Sequence, residues 1–124
     1  MLTRGAPYFI VADVDRASEY YERVLGFTAE YKAGSPAQFA INSRDGLPVM
    51  FRLATPGTVI VPNAVQGGTW DVFFWVRGLR ALHEEMVARG AFVDTPAMAI
   101  ASAVPWPMRS RAEGSGSLRP QSVE

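Results

Sequence analysis

The chain has 124 residues, 48% apolar and 19% charged, which suffices for one domain with a real core but not for two independent ones. Twelve Lys and Arg balance twelve Asp and Glu, a formal net charge of zero that argues against nucleic acid as a partner. The lack of cysteine excludes disulfides, thiolate chemistry and cysteine metal sites, and no stretch is long and apolar enough to span a membrane.

The N-terminal text MLTRGAPYF lacks the charged-then-apolar layout of a signal peptide, so a cytoplasmic location is expected. APYFIVA, residues 6–12, reads as a buried strand. Asp13 then stands as a helix N-cap, and Asp15 adds negative charge to the first turn. Ala17, Tyr20, Tyr21, Val24 and Leu25 form one stripe at helical spacing, with one tyrosine expected to pack and the other to cover the sheet edge. Gly26 is the expected stop. Glu19, Glu22 and Arg23 read as a solvated face. FTAEYKA, AQFAINS and VMFRLA follow as three strands, the first two joined at GSP and the last two by the Asp45-Gly46 hairpin signal.

Residues 55–68 read as a loop in which only TVIV has strand character. The opening pattern then returns: TWDVFFWV as a strand, RGLRALHEEMVARG as a helix with a Leu79, Leu82, Met86 and Val87 stripe, Gly90 as its stop and AFVDTP as a short strand. FIVADVDRASEYYERVLGF and FFWVRGLRALHEEMVARGAF thus form an internal repeat of strand, helix, glycine and aromatic. An α+β fold follows. After Pro96 the repeat breaks. AMAIASAV has the character of a strand, PWPMRSR cannot be a central strand, and AEGSGSLRPQSVE has linker composition.

The repeat, VADVDRASEYYERVLGF and GLPVMFRLA together resemble the vicinal oxygen chelate superfamily, the glyoxalase, bleomycin-resistance and extradiol-dioxygenase group, over about residues 6–95. The resemblance implies paired βαβββ modules forming a curved sheet around a cavity. It divides the chain into a first module at 1–54, a connecting loop at 55–69, an incomplete second module at 70–108 and a disordered tail at 109–124. Members often carry a motif like YGxREFxVxDPDG where this chain has MAIASAVPWPM. GC-rich codons chosen for the segment from Met98, read one frame over, spell Gly-His-Arg-Glu and a later Val-x-Asp. A frameshift near Ala97 is therefore one reading of the ending, and a naturally divergent terminus is the other. Sequencing the gene region separates them.

Metal enzymes of the group take a His from the first strand and a Glu from the last strand of each module. Those places fall here near Ala6, at Phe51 or Arg52, near Asp71, and on a final strand not visible in the sequence. One carboxylate makes no site, so neither metal nor cofactor is expected. Alternation puts Asp71, Phe73 and Trp75 on one face of their strand and Val72, Phe74 and Val76 on the other. The resemblance turns the first set toward the cavity, with Tyr8 and Ile10 beside it and Arg52 free to pair with an anionic ligand or with Asp71. Tyr8, Ile10, Arg52, Asp71, Phe73 and Trp75 are the candidate ligand-binding residues. His83, the only histidine, reads as solvent-facing on its helix.

The implied function is metal-free binding of a small planar or aromatic molecule by a cytoplasmic homodimer, like the bleomycin-resistance branch. The alternatives are a metal-dependent lyase or dioxygenase of the same superfamily, and an inactive product with an altered C-terminus.

Overall fold

The computed structural model describes residues 1–63, 65–67, 70–93 and the backbone of 115–116. The chain divides into two units, one built on residues 1–62 and the other on residues 63–121.

The first unit runs β1 (Tyr8–Val11), α1 (Val14–Arg23), β2 (Thr28–Ala33), β3 (Phe39–Arg44) and β4 (Leu47–Leu53), a complete βαβββ module. The four strands form one curved mixed sheet in the order β1-β4-β3-β2. β1 and β4 are parallel; the other neighbours are antiparallel. The crossover that parallel pairing requires is α1 together with the β2–β3 hairpin.

Local chemistry explains each boundary. Asp13 sits in extended backbone and its carboxylate accepts the Arg16 N–H at 3.0 Å, which satisfies one of the helix's unpaired donors. Gly26 follows the helix at φ 74°, where a side chain would be strained. Arg44 from β3 donates to the Leu25 carbonyl at 2.9 Å, placing a cation beside the helix's negative end. Asp45 and Gly46 both have positive φ, 52° and 77°, as a two-residue hairpin turn of the favoured hand requires. That turn fixes the β3–β4 register: Arg44 opposes Leu47, Ile41 opposes Met50 and Phe39 opposes Arg52.

The core lies between α1 and one face of the sheet. Val14, Ala17, Tyr21, Val24 and Leu25 are buried on the helix side, against Ala40, Val49 and Phe51 on the strands. The expected stripe holds, with Tyr20 half-buried against the Tyr21 ring and Val14 and Ser18 added to it. Ser18 and Asn42 are the buried polar residues of this core. The Ser18 hydroxyl donates to Asn42 Oδ1 at 2.8 Å, and Asn42 Nδ2 donates to the Ser18 carbonyl at 3.0 Å. Ser18→Ala leaves the buried Asn42 oxygen without that donor, so a loss of about 1–3 kcal/mol is expected in urea unfolding. A variant as stable as the parent would contradict the assignment.

Asp15 joins α1 to the β2–β3 turn. Its carboxylate accepts the Ala37 N–H at 2.9 Å and lies 3.1 Å from the Lys32 ammonium. The Ala37 hydrogen bond first, and Lys32 second, hold its pKa below the ordinary carboxylate range. A depressed acid stabilises the fold above its unfolded pKa, and that contribution is lost as pH falls through the folded one. Between about pH 5 and 2, stability should therefore fall more steeply in the parent than in Asp15→Asn, as read by urea midpoints at each pH. Parallel curves would show that Asp15 contributes no linkage.

The second unit contains β5 (Phe74–Trp75), α2 (Leu79–Ala88) and β6 (Ser115–Gly116), with β5 and β6 antiparallel. Gly90, at φ 88°, ends α2 as expected. Met86 is its buried residue, whereas Val87, expected on the same stripe, is exposed. His83 is half-buried rather than solvent-facing.

The long strand expected over TWDVFFWV is reduced to Phe74–Trp75 among the described residues. Its first half is held by a loop clasp instead. Asp71 Oδ1 accepts the Asn63 N–H at 3.0 Å, and Asn63 Nδ2 donates to the Trp70 carbonyl at 3.0 Å. Side-chain bonds of this kind compete with ladder pairing for the same backbone groups. Thr58–Val61 is not a strand either: the Thr58 N–H turns back to the Thr55 carbonyl at 3.0 Å. Ala91–Val93 lies outside any strand. The remainder of AFVDTP and all of AMAIASAV lie outside the described residues. Ser115–Gly116, within the segment read from sequence as a tail, pairs with β5.

Candidate functional site

The sheet face of the first unit that α1 does not cover is the candidate site. Strand alternation decides its membership. On β4, Val49 and Phe51 point to the helix, so Met50 and Arg52 point away. The register then brings Tyr8 and Ile10 of β1 beside Met50 and Arg52, and Ile41 and Phe39 of β3 beside them on the other side. β2 adds Tyr31 opposite Ile41 and Ala33 opposite Phe39. A register shift between Ala29 and Tyr31 puts Tyr31 on this face while Lys32 returns to the helix side to meet Asp15.

The face is aromatic and open. Tyr8 is 53% exposed, Ile10 41% and Tyr31 56%. Phe39 lies between the tyrosines, its ring 6.0 Å from Tyr8 at 69° and 6.1 Å from Tyr31 at 58°. These are edge-on and tilted contacts of the kind aromatic quadrupoles favour. Three exposed large side chains on one sheet face form a patch rather than scattered surface residues.

Charge is arranged at its two ends. At the hairpin end, Arg4 lies 3.1 Å from the Glu30 carboxylate, which also accepts the Ser43 hydroxyl. The Ser43 bond first, then Arg4, hold the Glu30 pKa below its ordinary range. At the other end Arg52 is exposed between Ile10 and Phe39.

Tyr8, Ile10 and Arg52, the three site residues expected from the first module, therefore share one face. Tyr31, Phe39, Ile41 and Met50 belong with them and are additions to the expected set. The signal for two of these pairs was in the text: a two-residue Asp-Gly turn between Arg44 and Leu47 dictates that Phe39 opposes Arg52 and Ile41 opposes Met50.

The other three expected residues belong to the second unit. Phe73 contacts Trp75 at 5.0 Å and 75°, and Trp70 at 5.3 Å and 54°. Trp75 is 71% exposed. Asp71 Oδ1 accepts the Asn63 N–H within the second unit.

Among the described residues no group of three His, Cys, Asp or Glu stands together. At the ligand position of the first module Phe51 is buried against the helix and Arg52, a cation, takes the open side.

A βαβββ unit whose helix covers one face of a curved sheet is the module that the sequence resemblance led one to expect. Three solved structures share it. The bleomycin resistance determinant encoded on transposon Tn5 superposes with a TM-score of 0.56 at 20% identity, covering 77% of this chain and 72% of that one. The bleomycin-binding protein of bleomycin-producing Streptomyces verticillus, solved with copper(II)-bleomycin, gives 0.55 at 16%, covering 78% and 71%. TioX from Micromonospora sp. ML1 gives 0.56 at 22%, covering 77% and 78%. At these identities the likeness is one of fold. No family model and no curated protein matches the chain.

Proposed function

We propose that the protein binds a small, flat, aromatic molecule on the open face of its first sheet, without a protein-held metal, in the manner of bleomycin-resistance proteins. The observation that carries this reading is the Tyr8–Phe39–Tyr31 row, left accessible on the sheet face opposite the one α1 packs on. Edge-on rings with exposed flanks offer apolar area and aromatic contact to a planar ligand. The fold likeness to a protein solved with copper(II)-bleomycin supports the same reading. Within the second unit, Asp71 is proposed as a loop-holding residue beside Phe73 and Trp75. A homodimer in the cytoplasm is the proposed state. No helix of the described residues is long and apolar enough to cross a membrane.

Isothermal titration of the full chain with N-phenylnaphthylamine, a neutral flat molecule, and with copper(II)-bleomycin tests the reading. Saturable binding of either, weakened by Phe39→Ala, is expected. Failure of both to bind would overturn it.

A further inference from the structure

The open face has a sign as well as a shape. Its charged side chains among the described residues are Arg4, Glu30 and Arg52. Arg4 and Glu30 neutralise each other, and the Ser43 hydroxyl takes part of the Glu30 carboxylate as well. Glu30 is on β2, two strands from Arg52, a lateral separation of about 9.5 Å before the offset along the strands is added. That is about a Debye length at physiological ionic strength, so Glu30 is no counter-ion for Arg52. Lys32 and Asp15 satisfy each other on the helix side of the sheet. Among the described residues of the first unit, no carboxylate pairs with Arg52. Arg52 is flanked by Ile10 on one strand and Phe39 on the next, so its guanidinium stands at the edge of the apolar row.

We infer that the ligand of this face is an aromatic anion: a planar ring system seated on Phe39, Tyr8 and Tyr31, with a carboxylate, sulfonate or phosphate group at Arg52. This rests on the binding reading above and narrows it. The guanidinium fork matches the two oxygens of such a group, and a charge-assisted bond beside apolar surface is stronger than the same bond in bulk water. Arg52 would be the specificity residue, and the aromatic row would supply affinity for either charge type.

Anilinonaphthalene sulfonate and N-phenylnaphthylamine share one skeleton and differ by the sulfonate. Titrated against the full chain, the sulfonate should bind about tenfold more tightly than the neutral compound. Arg52→Gln should cost the sulfonate about tenfold more affinity than it costs N-phenylnaphthylamine, which removes the preference, and Arg52→Lys should restore part of it. The circular dichroism of both variants should match the parent, because Arg52 is exposed. Equal affinity for the two probes, or a preference that survives Arg52→Gln, would overturn the anion assignment while leaving the binding face standing. Binding of neither probe would remove the face itself, and the assignment with it.

Discussion

Phe51→Ala should cost the first unit about 3–5 kcal/mol, the range for emptying a buried phenylalanine site. Phe51 is 1% exposed and sits at the centre of the ring cluster. Tyr21 meets it at 4.8 Å and 68°, and Phe9 lies along it at 6.3 Å and 29°. Tyr21 is in turn braced by Phe27 at 5.3 Å. Alanine leaves a void that the helix cannot close. The Ser18–Asn42 bonds and the Asp15–Ala37 bond hold α1 at its present height over the sheet. A domain of ordinary stability has about 5–15 kcal/mol in total, so much of the unit's margin would go. Urea unfolding followed by circular dichroism reads the loss. The first unit holds no tryptophan, since the three lie at positions 70, 75 and 106, so indole fluorescence reports the other unit. A loss under about 1 kcal/mol would mean that the helix and sheet repack freely, contrary to the tight-core account.

Phe39→Ala should do the opposite: spare the fold and weaken ligand binding. Phe39 is on the neighbouring strand and on the other face, opposite Arg52, where Phe51 stands opposite Ala40. It is half-buried, and its ring contacts are Tyr8 and Tyr31 rather than the helix. Covering such a ring with a bound molecule is worth about 1.5 kcal/mol or more, so affinity for N-phenylnaphthylamine should fall about tenfold. The urea midpoint should move little, because partly exposed sites away from the core shift stability by about 0.5 kcal/mol. Unchanged affinity in the variant would move the binding site off this face.

The contrast between these two phenylalanines shows what the sequence makes legible. Strand existence and helix boundaries follow from short-range chemistry. Asp13, Gly26 and Asp45-Gly46 act within a few residues of themselves, and each does in the fold what its residue type implies. The hairpin turn goes further and sets a register, which was sufficient to place Phe39, Ile41, Met50 and Arg52 in adjacent pairs. What local pattern does not carry is which face the helix takes. That choice depends on the parallel pairing of β1 with β4 across about 40 residues of chain, a non-local contact that leaves no spacing signal. The ambiguity between Phe51 and Arg52 as the residue on the open side was of this kind.

The second unit failed to follow its alternation for a different reason. Residues 70–75 have the period of a strand, but Asn63 takes the Trp70 carbonyl and Asp71 takes the Asn63 N–H. A hydrogen-bond competitor several residues upstream is invisible to hydropathy. Tyr31 was hidden by the register shift in β2, since strict alternation does not anticipate an extra residue.

Methyl-resolved nuclear magnetic resonance of the full chain, titrated with N-phenylnaphthylamine, tests the central claim most directly. The open face carries its own reporters in Ile10, Ile41 and Met50, while Val49 faces the helix and is 0% exposed. The account predicts that the Ile10, Ile41 and Met50 methyl signals shift together and saturate, with Val49 unmoved. Saturable binding that leaves those three signals in place would contradict it.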